Sequence, residues 1–257
     1  MDSNEIREAV ILMAGSGSRL RASGHEVPKA LVPLLGRPLI SFLIGSLQRA
    51  GVRKLHAIVG AASAQLVDGL TPLLPAGLEL NVIQNVDWKK QNGISLLKAE
   101  EHVVAPFFLT MADHILDDAI LESLVRRSDP RKLNLAIDRK IESIFDLDDA
   151  MKVQTEAGHV VAIGKALSRF DAIDTGAFLC PSEIFAYLRA AQKDGDCSLA
   201  DGVRFMAADG KVRAIDIESA WWQDVDTPEM LRYAESTLRD RTSAAAGGKG
   251  AGQMLLR

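Results

Sequence analysis

The stretch EAVILMAGSGSRLRASGHEVPKALVPLLGRPL, residues 8–39, carries the strongest structural signal in the chain. Its apolar run, residues 9–13, has the length and β-branched content of a fully buried parallel strand. A loop of small residues follows, interrupted by Arg19, and Lys29 comes ten residues later. Small residues let backbone N–H groups approach a phosphate chain, while the arginine and lysine add positive charge. The stretch therefore predicts a polyphosphate site at the end of a buried strand.

Two other glycine-rich loops do not fit this stretch. A dinucleotide-binding fingerprint requires a third glycine where Leu20 stands, which argues against a dinucleotide-dependent oxidoreductase. A Walker loop requires Gly-Lys-Ser/Thr after four free positions, and Gly15 is followed by no such sequence. The pattern is instead G-x-G-x-R-L followed by P-K, and an ordinary glycine-rich turn is the weaker alternative.

Length, charge and cysteine content restrict the class of protein. The chain has 257 residues, of which 47% are hydrophobic, enough for one large α/β domain or two small ones. A net charge of −4 argues against non-specific nucleic-acid binding. No window approaches the roughly 18 uninterrupted apolar residues of a membrane helix, and the N-terminus does not resemble a secretion signal. We therefore expect no membrane insertion. Two cysteines without metal-ligand spacing are too few for a disulfide framework and favour a cytoplasmic location.

Apolar runs alternate with helical stretches along the chain, which predicts a mostly parallel sheet covered on both faces. Residues 151–155 and 159–163 flank a Glu-Ala-Gly turn and predict a β-hairpin, so the sheet should be mixed there. Thr227-Pro228 predicts the start of a last helix ending near Arg241. We expect one domain over residues 1–242, with a hairpin subdomain at about 139–172, and a flexible tail over 243–257.

Two aspartates are placed to bind a divalent cation beside a polyphosphate. Asp113 follows a buried strand, and Asp226 precedes the N-terminus of the last helix. Mg²⁺ typically takes one or two protein carboxylates and completes its coordination with phosphates and water. Spacing alone does not choose between Asp224 and Asp226. We expect His114 to be a hydrogen-bonded histidine and not a ligand or a general base.

A second anion site is suggested by three basic residues near the hairpin. Lys152 and Lys165 lie on its two arms, and Arg139 precedes it. The alternative is a solvated hairpin edge, where lysine is common. The residues alone leave both readings open.

Several segments together resemble the sugar-nucleotide-type nucleotidyltransferases, and in particular the CTP:inositol-1-phosphate cytidylyltransferases. The segments are AVILMAGSGSRL, PKALVPLLGRPLI, NGISLLKAEEHV, FFLTMADHI, VVAIGKAL, FDAIDTGAFL and WWQDVDTPEML, which span about residues 9–231. The resemblance implies an α/β, Rossmann-like three-layer nucleotidyltransferase fold with a mostly parallel mixed sheet and a small β-hairpin subdomain. It also favours a second anion site over a solvated hairpin edge, because the three basic residues match positions expected near an acceptor phosphate.

The resemblance implies a role for each matching residue. Arg19 and Lys29 would be catalytic. The nucleotide would contact Ala14, Gly15, Ser16, Gly17, Arg19, Lys29, Asn92, Gly93, Ser95 and Asp113. The acceptor would contact Arg139, Lys152, Lys165, Asp174, Thr175 and Gly176. Magnesium would be bound by Asp113 and Asp226.

The implied reaction joins CTP and inositol 1-phosphate with the help of Mg²⁺, giving CDP-inositol and pyrophosphate for phospholipid or compatible-solute synthesis. The alternatives are a cytidylyltransferase for phosphocholine or 2-aminoethylphosphonate, another sugar-1-phosphate nucleotidyltransferase, and a non-catalytic nucleotide-binding module. A choline site would need aromatic walls, and the hairpin and the 165–180 region offer only Phe170 and Phe178. The partners are CTP and a small phosphorylated acceptor, and a homodimer is an open alternative for the assembly.

Overall fold

The computed structural model describes residues 6–15, 20, 27–60 and 63–251. The strands are β1 (Glu8–Met13), β2 (Pro33–Leu34), β3 (Arg37–Pro38), β4 (Lys54–Val59), β5 (Glu79–Gln84), β6 (Phe107–Met111), β7 (His114–Leu116), β8 (Leu133–Asp138), β9 (Lys152–Glu156), β10 (His159–Gly164), β11 (Ala172–Cys180), β12 (Val212–Asp216) and β13 (Trp222–Asp224). The α-helices are α1 (Ile40–Arg49), α2 (Ser63–Leu70), α3 (Asn92–Leu97), α4 (Asp118–Arg127), α5 (Ile184–Ala191), α6 (Leu199–Ala208) and α7 (Pro228–Ala251). Short 3₁₀ helices lie at Lys29–Leu31, Thr71–Leu73 and Ile141–Ser143.

A mixed sheet forms the middle layer of the fold, in the order β5-β4-β1-β6-β11-β8-β12-β10-β9. Strands β5, β4, β1 and β6 are mutually parallel. Alternate residues of β1 enter different cores: Ile11 packs with helices α1, α2 and α4, while Val10 packs on the opposite face with α3, α5 and α6. The prediction of a buried first strand in a three-layer α/β fold is confirmed.

The second half of the sheet is largely antiparallel. The β9–β10 hairpin is present as predicted, and it joins the main sheet because β10 pairs with β12 and β9 also pairs with β11. The pairing of β11 with β8 shifts in register between Asp174 and Phe178. Gly176 lies in this irregular part of β11 with a φ of 72°, a left-handed conformation that glycine adopts without strain.

Helix α7 begins at Pro228, as predicted, but continues to Ala251, beyond the expected end near Arg241. The segment after Arg241 contains three successive alanines, which have the highest helix propensity. The inner side of α7 packs on a third apolar cluster with β2 and the β7–β13 ribbon, through Ala234, Leu34 and Ile115. No helix in the described part of the chain is long and apolar enough to cross a membrane.

Candidate active site

The two aspartates predicted to bind metal are brought together by the small β7–β13 ribbon. Strand β6 ends at Met111, and Asp113 follows at the carboxyl edge of the parallel strands, where open α/β sheets bind ligands. In the ribbon, Asp224 pairs with His114, and the Val225 N–H then donates to the Asp113 carbonyl at 2.9 Å. This hydrogen bond fixes the chain immediately before Asp226.

The ammonium group of Lys29 lies between these two aspartates. Its Nζ donates to Asp113 Oδ2 at 2.5 Å and to Asp226 Oδ1, and the three side chains are 14%, 23% and 22% exposed. Burial lowers the pKa of Lys29, but the two carboxylates outweigh it, and the pKa is raised. For Asp113, burial acts to raise the pKa, but the positive charges of Lys29 and His114 hold that pKa well below its usual range. The ammonium group of Lys29 thus lies between the carboxylates of Asp113 and Asp226.

His114 holds the second oxygen of Asp113. Its Nδ1–H donates to Asp113 Oδ1 at 2.6 Å, and its ring stacks on Trp222 with centroids 6.0 Å apart. Burial lowers the pKa of His114, but Asp113 outweighs it and the pKa is raised. A Cβ at Gly176 would overlap the His114 ring and lie 2.7 Å from Met111 Cε, so glycine leaves room for the imidazole. The histidine is hydrogen-bonded, as expected from the sequence.

A cavity of about 340 Å³ opens beside these residues. Six residues predicted to bind nucleotide, acceptor or metal line it: Asn92, Asp113, Lys165, Asp174, Gly176 and Asp226. Asp174 Oδ1 accepts a hydrogen bond from the Gly176 N–H at 2.7 Å, and burial raises the pKa of Asp174 to about 6. The nucleotide, acceptor and metal predictions therefore meet at one cavity.

Three residues predicted to bind ligands have structural roles away from the cavity. Thr175 is fully buried and donates to the Ala136 carbonyl at 2.9 Å, because a strand turns successive side chains to opposite faces. Ser95 Oγ accepts from Asn85 Nδ2 at 3.0 Å inside the core. A Cβ at Gly93 would lie 2.6 Å from the Cys197 carbonyl, so this glycine permits close packing of α3. The prediction that the Thr175 side chain contacts the acceptor is therefore corrected, because this side chain is buried in the core.

The three basic residues of the predicted second anion site do not converge. Arg139 pairs with Asp171 and Asp216 and donates to Thr155. Lys152 Nζ donates to the main-chain oxygen of Lys165 at 2.9 Å. Neither Arg139 nor Lys152 lines the cavity, and their role in binding an acceptor stays a prediction. The guanidinium group of Arg139 is engaged by the carboxylates of Asp171 and Asp216.

Lys165 does line the cavity and pairs with Asp149. The structure adds Lys140, which also lines the cavity and pairs with Asp138 at 2.8 Å. The sequence pattern predicts its neighbour Arg139 for the second anion site instead. The strand alternation past the end of β8 could have pointed to Lys140 instead.

The predicted phosphate loop is described only in part. Ala14 is buried and Gly15 is exposed directly after β1. Ser16, Gly17 and Arg19 lie outside the described residues, so their roles stay predictions.

Aromatic side chains line the cavity, which the sequence did not indicate. They are Phe145, Phe178, Trp221, Trp222 and Tyr233. Only Phe178 had been considered, and Phe170 does not line the cavity. The two tryptophans lie beside Asp226 in the WWQDVDTP motif, which was a usable signal. Phe145 and Tyr233 come from a loop and a helix distant in sequence, and no local pattern connects them.

Comparison with known proteins identifies the family of the chain. The sequence matches the MobA-like NTP transferase domain family over residues 9–255. It is similar to the bifunctional IPC transferase and DIPP synthase of Aquifex aeolicus, with 32% identity over 91% of this chain and 52% of the relative. The protein of the same name from Thermococcus kodakarensis is 35% identical over 94% of this chain and 52% of its own length. The chain thus spans about half the length of these relatives.

A solved structure shares both fold and sequence with the chain. The inositol-1-phosphate CTP transferase from T. maritima superposes with a TM-score of 0.79 at 25% identity, covering 88% of this chain and 91% of that one. The family match extends over nearly the whole sequence and includes every residue of the candidate site. The chain therefore belongs to the MobA-like NTP transferase domain family and is a nucleotidyltransferase.

Proposed function

We propose that this nucleotidyltransferase transfers the cytidylyl group of CTP to inositol 1-phosphate and releases pyrophosphate. The observation that carries the transfer chemistry is the position of Lys29 between Asp113 and Asp226 at a cavity that Asp174 also lines. The choice of CTP and inositol 1-phosphate is supported by the likeness to the T. maritima transferase and to the IPC transferases.

The two aspartates fit a divalent cation that the substrate helps to hold. Among the described residues, no group of three or more His, Cys, Asp or Glu side chains could bind a metal alone. Two carboxylates are nevertheless what Mg²⁺ typically takes from a protein when phosphates supply further ligands. Lys29 Nζ marks a position between them that favours a cation. Asp226, and not Asp224, makes this contact, and we propose Asp113 and Asp226 as the Mg²⁺ ligands.

The reaction needs an attacking group, a leaving group and neutralised charge. An oxygen of the acceptor phosphate attacks the α-phosphorus of CTP, the bond from that phosphorus to the β-phosphate oxygen breaks, and pyrophosphate leaves. The attacking phosphate is already an anion at neutral pH, so no general base is required. Mg²⁺ held by Asp113 and Asp226 would neutralise phosphate charge. Lys29 and Arg19 would add positive charge beside the phosphates and so stabilise the transition state.

His114 contributes by orienting Asp113. Its hydrogen bond engages Oδ1 and leaves Oδ2 directed at Lys29. The stacked Trp222 ring is itself fixed, because its Nε1–H donates to Asp138 Oδ2 at 3.0 Å. Partners of this kind fix the orientation of a ligating side chain.

A cytidylyltransferase for phosphocholine or an aminophosphonate is the second candidate, and the aromatic cavity wall favours it. Aromatic faces with nearby carboxylates bind ammonium groups. One of these rings is covered, however, because Trp222 stacks on His114. The likeness to the T. maritima transferase makes inositol 1-phosphate the preferred acceptor.

A pyrophosphate-release screen tests both candidates. The purified chain is incubated with Mg²⁺ and each of the four common nucleoside triphosphates, against inositol 1-phosphate, phosphocholine, 2-aminoethylphosphonate and a hexose 1-phosphate. We expect release with CTP and inositol 1-phosphate to exceed every other pair. Faster release with phosphocholine or the phosphonate would replace the first candidate by the second. CTP binding without release from any pair would indicate a non-catalytic module.

A further inference from the structure

Most of residues 143–150, which end the short helix Ile141–Ser143 and lead toward β9, form one wall of the cavity with Tyr233 of α7, whereas Leu147 and Asp148 do not line it. We call these residues the 143–150 segment. Its shape is held by its own hydrogen bonds, in which the Ala150 N–H donates to the Asp146 carbonyl at 3.1 Å and the Asp149 N–H donates to Asp146 Oδ1 at 3.3 Å. These hydrogen bonds fix the conformation of the segment where it lines the cavity.

An aromatic pair connects the segment to α7. The rings of Phe145 and Tyr233 lie 5.0 Å apart between centroids at an angle of 41°. Phe145 is nevertheless 44% exposed, and both rings line the cavity. A supported but exposed ring offers an apolar surface to the C–H groups of a ligand, and its burial by a ligand is favourable.

Carboxylates on this side of the cavity, those of Asp146 and Asp174, offer hydrogen-bond acceptors. Within the described residues, Asp146 accepts only the weak bond from the Asp149 N–H, and Asp174 accepts one from the Gly176 N–H. Both cavity-lining lysines, Lys140 and Lys165, are already paired with aspartates. Such a wall suits hydroxyl donors and opposes a second phosphate, because like charges in a partly buried site repel.

The wall and the proposed metal site belong to one cavity, because Phe145, Tyr233 and Asp226 all line it. Tyr233 is five residues beyond Pro228 on α7, and the axis of a helix advances roughly 8 Å over five residues. An acceptor whose phosphate lies near Asp226 would therefore share the cavity with Phe145 and Tyr233.

Resting on the proposed function, we propose that Phe145, Asp146 and Tyr233 form the subsite that binds the hydroxyl-bearing ring of the acceptor. The subsite selects a cyclic polyol that carries a single phosphate. The aromatic pair contacts the C–H face of the ring, and Asp146 accepts hydrogen bonds from its hydroxyl groups.

Replacing Phe145 by alanine tests the aromatic contact, and Phe205 supplies a matched control. Phe205, on the outer side of α6, is 43% exposed and does not line the cavity. Steady-state kinetics with inositol 1-phosphate and CTP should show an increase of about tenfold in the KM for inositol 1-phosphate in Phe145→Ala and an unchanged KM for CTP, because losing an apolar contact in a pocket typically costs tenfold or more. Phe205→Ala should leave both constants unchanged. Unchanged acceptor KM in a folded Phe145→Ala variant overturns the subsite, and Tyr233→Ala repeats the test from α7.

A panel of acceptors tests the selected chemistry with Asp146→Asn and, as control, the exposed Asp148→Asn. We expect wild-type turnover of inositol 1-phosphate to exceed that of an inositol bisphosphate and of phosphocholine by at least about tenfold. Equal turnover of the bisphosphate contradicts the single-phosphate preference. Preferred turnover of phosphocholine, abolished selectively by Asp146→Asn, would make the wall a cation site. If the wild type transfers to no acceptor, the proposed function itself fails, whereas an active wild type with unaffected variants removes only the subsite.

Discussion

The contact of Lys29 with two carboxylates makes a testable link between stability and metal binding. Lys29→Met retains the length of the side chain but removes the charge between Asp113 and Asp226. Removing one partner of a fully buried ion pair typically costs 3–5 kcal/mol, and a surface pair contributes about 0–1 kcal/mol. With side chains 14–23% exposed, we expect an intermediate loss of about 2 kcal/mol in the free energy of unfolding without metal. For a chain of this size, the loss corresponds to a Tm lower by roughly 4–8 °C.

Magnesium should partly reverse this loss. A ligand at a hundred times its Kd stabilises the folded state by about 2.7 kcal/mol. In the wild type, Mg²⁺ must first displace the ammonium of Lys29, so its net stabilisation should be smaller than in Lys29→Met. Turnover of the variant should nevertheless fall by about a hundredfold or more, because a transition-state charge is lost.

Thermal unfolding followed by circular dichroism, with and without saturating Mg²⁺, measures both effects. Lys211→Met is the matched control, because Lys211 pairs with Glu183 at 2.9 Å outside the cavity. Its Tm should change little, and Mg²⁺ should shift it as in the wild type. An equal Mg²⁺ shift in Lys29→Met and the wild type would refute the proposal that metal and Lys29 compete for the same carboxylates.

Three further substitutions have expected outcomes. His114→Phe should weaken Mn²⁺ binding by about tenfold or more, because Asp113 loses its orienting hydrogen-bond donor, and His114→Asn should restore part of the affinity. Electron paramagnetic resonance with CTP present measures the binding. Equal Mn²⁺ affinity in the wild type and both variants would contradict this role. Burial raises the pKa of Asp174 to about 6 from 3.8, so stability is lost as the pH rises from about 4 to about 6, and the full loss is present above that range. Asp174→Asn should therefore stabilise the chain by about 3 kcal/mol in urea unfolding at pH 7 and by little at pH 4, whereas a gain independent of pH would argue against it. Asp226→Asn should lose most turnover while Asp224→Asn retains more, and the reverse order in a kinetic assay would exchange their roles.

The layered fold could be predicted because it depends on local periodicity. The buried run at β1 and the amphipathic stripe of α1 each appear in a short window of sequence. The short β7 and β13 ribbon was missed, since strands of three residues carry too little alternation to be recognised. The ribbon brings Asp226 into contact with Lys29. Because this contact depends on the unrecognised ribbon, sequence spacing alone could not choose between Asp224 and Asp226.

The parts of the site that sequence could not supply depend on contacts between distant elements. Arg139 looked available for an anion, but Asp171 from a neighbouring strand neutralises it. Phe145 and Tyr233 meet only because α7 crosses the loop before β9. Thr175 differs, because alternation within β11 already indicated that it faces the core.

The most direct test of the proposed reaction follows the oxygen atoms of the acceptor. Inositol 1-phosphate carrying ¹⁸O in its phosphate is incubated with CTP, Mg²⁺ and the enzyme, and the products are analysed by mass spectrometry. Attack of the acceptor phosphate on the α-phosphorus predicts CDP-inositol that retains all of the label and pyrophosphate that contains none. Label in the pyrophosphate, or the absence of CDP-inositol, would contradict the reaction proposed for this site.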